Sequence, residues 1–143
     1  MDTYQLAFPE PEDSFIGPLI YVYTRAQALA DGVLVDVSET AKEAGFRLPV
    51  AITAALQARL EPAIADRDIG QDYDGRLWDV LWLAAFTIKL ADHCVDTVNF
   101  TVVMQKAEAQ SGQPQNTDLR LRAVCGPGDE GEPVVTIGFP EDF

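Results

Sequence analysis

Apolar residues change spacing along the chain, and each spacing predicts a different element. From residue 95 onward the period is two. Val98, Phe100, Val102 and Met104 alternate with Thr97, Asn99 and Thr101; Leu119, Leu121, Ala123 and Cys125 alternate with Arg120, Arg122 and Val124; Val135, Ile137 and Phe139 complete the series. Alternation of this kind puts one set of side chains on each face of a strand and predicts a sheet covered on one side. Residues 106–117 hold Ser111, Gly112, Pro114 and Asn116 and read as a long polar hairpin connection; residues 126–133 read as a second turn. Three consecutive strands joined in this way predict an antiparallel meander.

Upstream the period lengthens. Leu77, Trp78, Val80, Leu81, Trp82, Leu83, Ala84, Ala85, Phe86, Ile88 and Leu90 cover nearly the whole circumference of a helix over residues 76–92. Such a helix is expected to be packed on more than one side, with Trp82 and Phe86 part of the core. Pro49 is placed to start another helix, with Val50, Ile52, Thr53, Leu56 and Leu60 as its stripe and Pro62 ending or kinking it. Residues 23–46 hold the fullest set of local signals. Thr24 is an N-cap with Gln27 three residues on, Gly32 supplies a helix stop, residues 33–37 form a short β-branched run, Ser38 caps a second helix and Gly45 ends it.

These elements predict an α+β fold: a single domain over residues 19–139, in which a three-stranded antiparallel meander packs on a buried helix with shorter flanking helices. Residues 1–18, with Pro9, Pro11, Gly17 and Pro18, read as an acidic irregular arm, and residues 140–143 as an acidic tail.

Charge alters the functional picture more than the structural one. Of 143 residues, 23 are Asp or Glu and 10 are Lys or Arg, a net charge of -13. Asp2, Glu10, Glu12 and Asp13 precede the first base, and Asp129, Glu130, Glu132, Glu141 and Asp142 follow the last one, Arg122. A field of this sign repels nucleic acid and anionic membrane, which are bound mainly through Lys and Arg, and it favours a basic protein as partner. The apolar run at residues 77–91 carries Asp79 and Lys89 and is shorter than the roughly 20 residues that span a bilayer. The first fifteen residues lack the basic and apolar regions of a signal peptide, so a cytoplasmic protein with Cys94 and Cys125 as reduced thiols is expected.

Few residues suggest chemistry. Gly126, Gly128 and Gly131 spell GxGxxG, yet a strand pattern follows where a dinucleotide site needs a helix. His93 and Cys94 are sequence neighbours and do not face one another on a helix, and two Cys with one His leave a tetrahedral zinc site a ligand short. No metal and no cofactor is expected. Arg25 stands in the first turn of a helix, where its charge opposes the dipole, and an internal salt bridge to Asp36 or Glu39 is the expected compensation. The acids available to a cationic partner are Asp66, Asp68, Asp72 and Asp74, in what reads as an exposed loop, and Asp129, Glu130 and Glu132 in the glycine turn. An alternative pocket would gather Tyr21, Tyr23, Arg25, Asp36 and His93.

Three strings carry a resemblance: YTRAQALADGVLVDVSETAKEAGF at residues 23–46, GRLWDVLWL at 75–83 and VCGPGDEGEPVVTI at 124–137. In these the chain resembles an uncharacterised family of small accessory proteins borne on bacterial plasmids, integrated elements and phages. The resemblance implies a mobile-element accessory role and supplies no catalytic residues. The resulting expectation is a non-enzymatic acidic interaction protein that binds and inhibits or modulates a basic host protein or nucleoprotein complex, by nucleic-acid mimicry in one version. A small enzyme or ligand-binding domain using the alternative pocket is the second reading. The third is an oligomeric structural protein, a homodimer for instance, that buries Phe8, Phe15 or Phe143 between chains.

Overall fold

Thr24 Oγ1 accepts the N–H of Gln27 at 3.0 Å while the Gln27 side chain accepts the N–H of Thr24 at 2.8 Å, a reciprocal cap that starts α1 (Arg25–Ala30). The computed structural model describes residues 23–91 and 95–143. Gly32, at φ +78°, turns the chain into β1 (Leu34–Asp36); α2 (Ser38–Glu43) follows, and Gly45, at φ +111°, ends the unit. The helix, strand and helix expected over residues 23–46 are all present. Ser38 departs from its expected capping role: its hydroxyl donates to Asp36 at 2.7 Å and accepts the Val50 N–H at 3.0 Å, which ties α2 to the next strand.

That next strand is itself a correction. Residues expected to begin a helix after Pro49 form β2 (Val50–Thr53), and α3 (Ala54–Leu60) starts only where Thr53 Oγ1 accepts the Leu56 N–H at 3.3 Å. Val50, Ala51 and Ile52 are buried consecutively. A strand buried on both faces shows no alternation, so its apolar run merged with that of α3 into one apparent helical stripe.

Downstream lie α4 (Ile64–Asp68), α5 (Tyr73–Leu90), β3 (Thr97–Ala107), β4 (Pro114–Pro127), β5 (Pro133–Gly138) and a 3₁₀ turn (Pro140–Asp142). The strand order is β1-β2-β5-β4-β3. β3, β4 and β5 are successive antiparallel neighbours, as the alternating pattern predicts, but they are only part of the sheet. β5 also pairs in parallel with β2, Val50 beside Val135 and Ile52 beside Ile137, and β2 pairs antiparallel with β1. The fold is α+β with a five-stranded mixed sheet, not a three-stranded meander. Parallel neighbours need a long crossover, and here α3, α4, α5 and two strands lie between them in sequence, beyond the reach of any local signal.

One face of the sheet carries the core. Ile52, Leu56, Leu60, Leu81, Leu121 and Ile137 are all under 2% exposed and belong to one apolar cluster that joins the sheet to α2, α3 and α5. Each such side chain contributes roughly 1.5–3 kcal/mol by leaving water, before entropy is subtracted. The expectation for α5 needs correcting. Leu77, Val80, Leu81, Ala84 and Ala85 form a single buried stripe, whereas Trp78, Trp82 and Phe86 are 38%, 49% and 45% exposed. Among the described residues the sheet and two short helices reach α5 from one side only, so a helix apolar all round keeps one apolar face exposed. Among the described residues no helix is long and apolar enough to cross a membrane.

Candidate functional site

The acids expected to form an exposed row serve two different purposes. Residues 65–75 are not a loop: α4 and the first turn of α5 occupy most of them. Asp66 Oδ1 accepts the Ala107 N–H at 2.7 Å, its Oδ2 accepts the Ala63 N–H at 3.0 Å, and Oδ2 lies 3.5 Å from Arg76 Nη2. The Ala107 N–H above all, then that of Ala63 and the Arg76 guanidinium, holds the Asp66 carboxyl below the ordinary carboxylate value. Asp72 caps α5 by accepting the Gly75 N–H at 2.7 Å. Asp129 reaches from the β4–β5 turn to α1, accepting the N–H of Arg25 at 2.7 Å and that of Ala26 at 2.9 Å, and Glu132 accepts the Glu130 N–H at 2.9 Å. Asp68, Asp74 and Glu130 are exposed, and among the described residues their carboxylates take part in no hydrogen bond or ion pair.

Cations are scarce partners. Arg76, 4% exposed, donates to the carbonyls of Leu60 at 3.3 Å and Gln105 at 2.7 Å and to Gln71 Oε1 at 3.3 Å. Its contact with Asp66 is the one ion pair within 4.0 Å among the described residues.

Arg25 lies on the sheet face opposite the core. Its Nη1 donates to Thr136 Oγ1 at 2.7 Å and its Nη2 to the Val135 carbonyl at 3.0 Å. Neither Asp36 nor Glu39 reaches ion-pair distance, and Asp36 instead accepts from Ser38. Burial lowers the Arg25 pKa, while the fields of Asp129, Asp36 and Glu132 raise it. A groove of about 520 Å³ runs beside it, lined also by Leu34, Thr53, Val124, Thr136 and Phe143. Of the five residues proposed for the alternative pocket, Arg25 lines this groove and Asp36 does not. The Tyr23 hydroxyl donates to Asp31 at 2.8 Å, outside the groove lining. Tyr21 and His93 lie outside the described residues. Thr53 and Thr136, which join Arg25 and Asp142 in the polar lining, have no distinguishing local signal in the sequence.

Gly126, Gly128 and Gly131 do not form a dinucleotide loop. Pro127 pairs with Pro133 across the turn and β5 follows, so no helix N-terminus is presented to a phosphate. Cys125 is a free, exposed thiol at the rim of a cleft of about 300 Å³ shared with Phe46, Ile88 and Val98.

The aromatic face of α5 is the feature that sequence reasoning placed in the core. Trp82 and Phe86 stack with centroids 5.4 Å apart and planes 5° from parallel. Trp78, one turn earlier, joins Trp82, Asp79, Leu83, Val102 and Val103 around a cleft of about 300 Å³ that runs along β3. Burial raises the Asp79 carboxyl above its ordinary value.

Comparison with known proteins bears on lineage. A model of a family of unknown function, DUF6573, matches residues 14–143. The chain belongs to this family. No curated protein and no solved structure matches it.

Proposed function

We propose that this DUF6573 protein is a non-enzymatic acidic interaction protein that binds and modulates a basic partner. The observation that supports this reading is electrostatic: 23 acids stand against 10 bases, and among the described residues one ion pair is formed, its arginine buried. Acids such as Asp68, Asp74 and Glu130 therefore meet water with no cation paired to them among the described residues, and their summed field attracts a cationic surface and speeds its encounter. The Arg25 groove fits a ligand-binding role less well, because Asp36, Asp129 and Glu132 surround the guanidinium and oppose the anion it would hold. The resemblance to mobile-element accessory proteins directs the search toward host proteins that normally hold nucleic acid.

Capture from a host lysate by tagged protein tests the proposal. A basic protein retained at low salt and released as salt rises, with weaker capture by a D68N/D74N/E130Q variant, is the expected result. Capture insensitive both to salt and to these substitutions would dismiss it.

A further inference from the structure

β3 is an edge strand whose outward backbone groups can be identified by register. The Asp96 carbonyl accepts the Cys125 N–H at 2.7 Å, and residue pairs alternate along an antiparallel ladder, so the even-numbered residues of β3 bond to β4 and the odd-numbered ones face outward. Two contacts agree with this assignment. The Gln105 carbonyl accepts Arg76 Nη2 and the Ala107 N–H donates to Asp66, so the Asp66–Arg76 pair closes the edge at that end. From Thr97 to Val103 the outward N–H and C=O groups of Thr97, Asn99, Thr101 and Val103 have no hydrogen-bond partner among the described residues.

Edge strands are normally blunted by charge, proline or a bulge. Residues 97–105 hold no charged side chain and no proline, and β3 pairs with β4 without interruption over Thr97–Ala107. Beside this edge stands the apolar face of α5, since Trp78 and Trp82 border the same cleft as Val102 and Val103, and Val103 is 58% exposed.

We propose that the β3 edge takes a second copy of this chain, strand against strand and antiparallel, in a dimer with a two-fold axis beside Phe100. Thr97 then lies opposite Val103, and Asn99 opposite Thr101, of the other copy, so the unpaired groups satisfy one another. The same rotation brings the two α5 faces together over the junction and removes Trp78 and Trp82 of both copies from water. A second copy fits this strip by charge. In a chain of net charge -13, self-association needs a strip free of acids; residues 97–105 hold none, and Asp79 is the one acid among the residues lining the cleft beside it. Asp96 and Lys106 bracket the strip, and antiparallel pairing places each near its opposite charge in the second copy.

The test uses the purified full chain alone, so it is independent of the basic-partner reading. Sedimentation across a dilution series is expected to show a monomer–dimer equilibrium. Thr101→Pro removes an outward N–H without touching the β4 ladder, and Val103→Lys adds a charge at the joint. Each should raise the dimer dissociation constant by at least about tenfold while circular dichroism and thermal melting stay those of a folded protein. Should Thr101→Pro unfold, Val103→Lys and Trp82→Ser decide. A wild-type chain that is monomeric throughout overturns the proposal, as does a dimer unaffected by Val103→Lys and Trp82→Ser. A monomer that dimerises only after deletion of residues 1–22 overturns it for the full chain, showing its own N-terminal segment to be the occupant.

Discussion

The Asp66 carboxylate lies 3.5 Å from the Arg76 guanidinium and bonds the Ala107 N–H at 2.7 Å, so one acid joins α4, α5 and the end of β3. Arg76 is almost wholly enclosed, and removing its counter-charge leaves a buried cation. Asp66→Ala should cost about 3 kcal/mol, the lower end for a broken buried pair because Arg76 keeps its bonds to Leu60 and Gln105. Urea denaturation followed by tryptophan fluorescence measures this.

The same residue predicts a pH dependence. Its folded pKa is depressed below the usual 3.8, so in the acid range the unfolded chain binds the proton more readily than the native one. Its contribution to stability is therefore complete above pH 3.8 and is lost as pH falls through the lower folded value. Asp66→Asn should flatten the acid limb of a stability–pH curve. An acid limb as steep in the variant as in the wild type would assign acid unfolding to other carboxylates.

Asp129 holds two backbone N–H groups of α1, so Asp129→Ala should destabilise by about 1–2 kcal/mol, in the range of N-cap losses. Hydrogen exchange should show the loss first in α1 and the β4–β5 turn, with the β3–β4 ladder protected as before.

Two truncations to alanine on one helix should separate its faces. Leu81 is fully buried, and Leu81→Ala should cost about 2–5 kcal/mol through transfer and cavity terms. Trp82, the next residue, is half exposed, and Trp82→Ala should change monomer stability by about 1 kcal/mol or less. Thermal melting of the two variants at low concentration compares them.

Gly138 is where the C-terminal turn closes on the sheet. A Cβ there would fall 2.5 Å from Thr53 Cγ2 and 2.8 Å from Asp142 Oδ2, and Asp142 itself accepts from Thr53 Oγ1 at 2.7 Å and from the Phe139 N–H at 2.9 Å. Gly138→Ala should displace residues 140–143 and cost about 1–3 kcal/mol. Faster amide exchange at Phe139 and in the following turn would register the displacement.

The sequence by itself determined the elements whose signals are short-range. Thr24 with Gln27, the stops at Gly32 and Gly45, and the two-residue alternation through β3, β4 and β5 act through sterics and hydrogen bonds within a few residues, and the structure contains them. Only the tertiary structure decided what distant segments do to one another. Val50 to Ile52 become a strand because β5, more than eighty residues later, pairs beside them. Arg25 finds Thr136 and Val135 in place of Asp36, and Asp66 finds Ala107 in place of solvent. The hydrophobicity of α5 was legible, but which of its faces would be covered was not. A periodic pattern states how much apolar surface a helix offers, whereas the number of layers packed against it decides how much leaves water, and here Trp78, Trp82 and Phe86 remain outside.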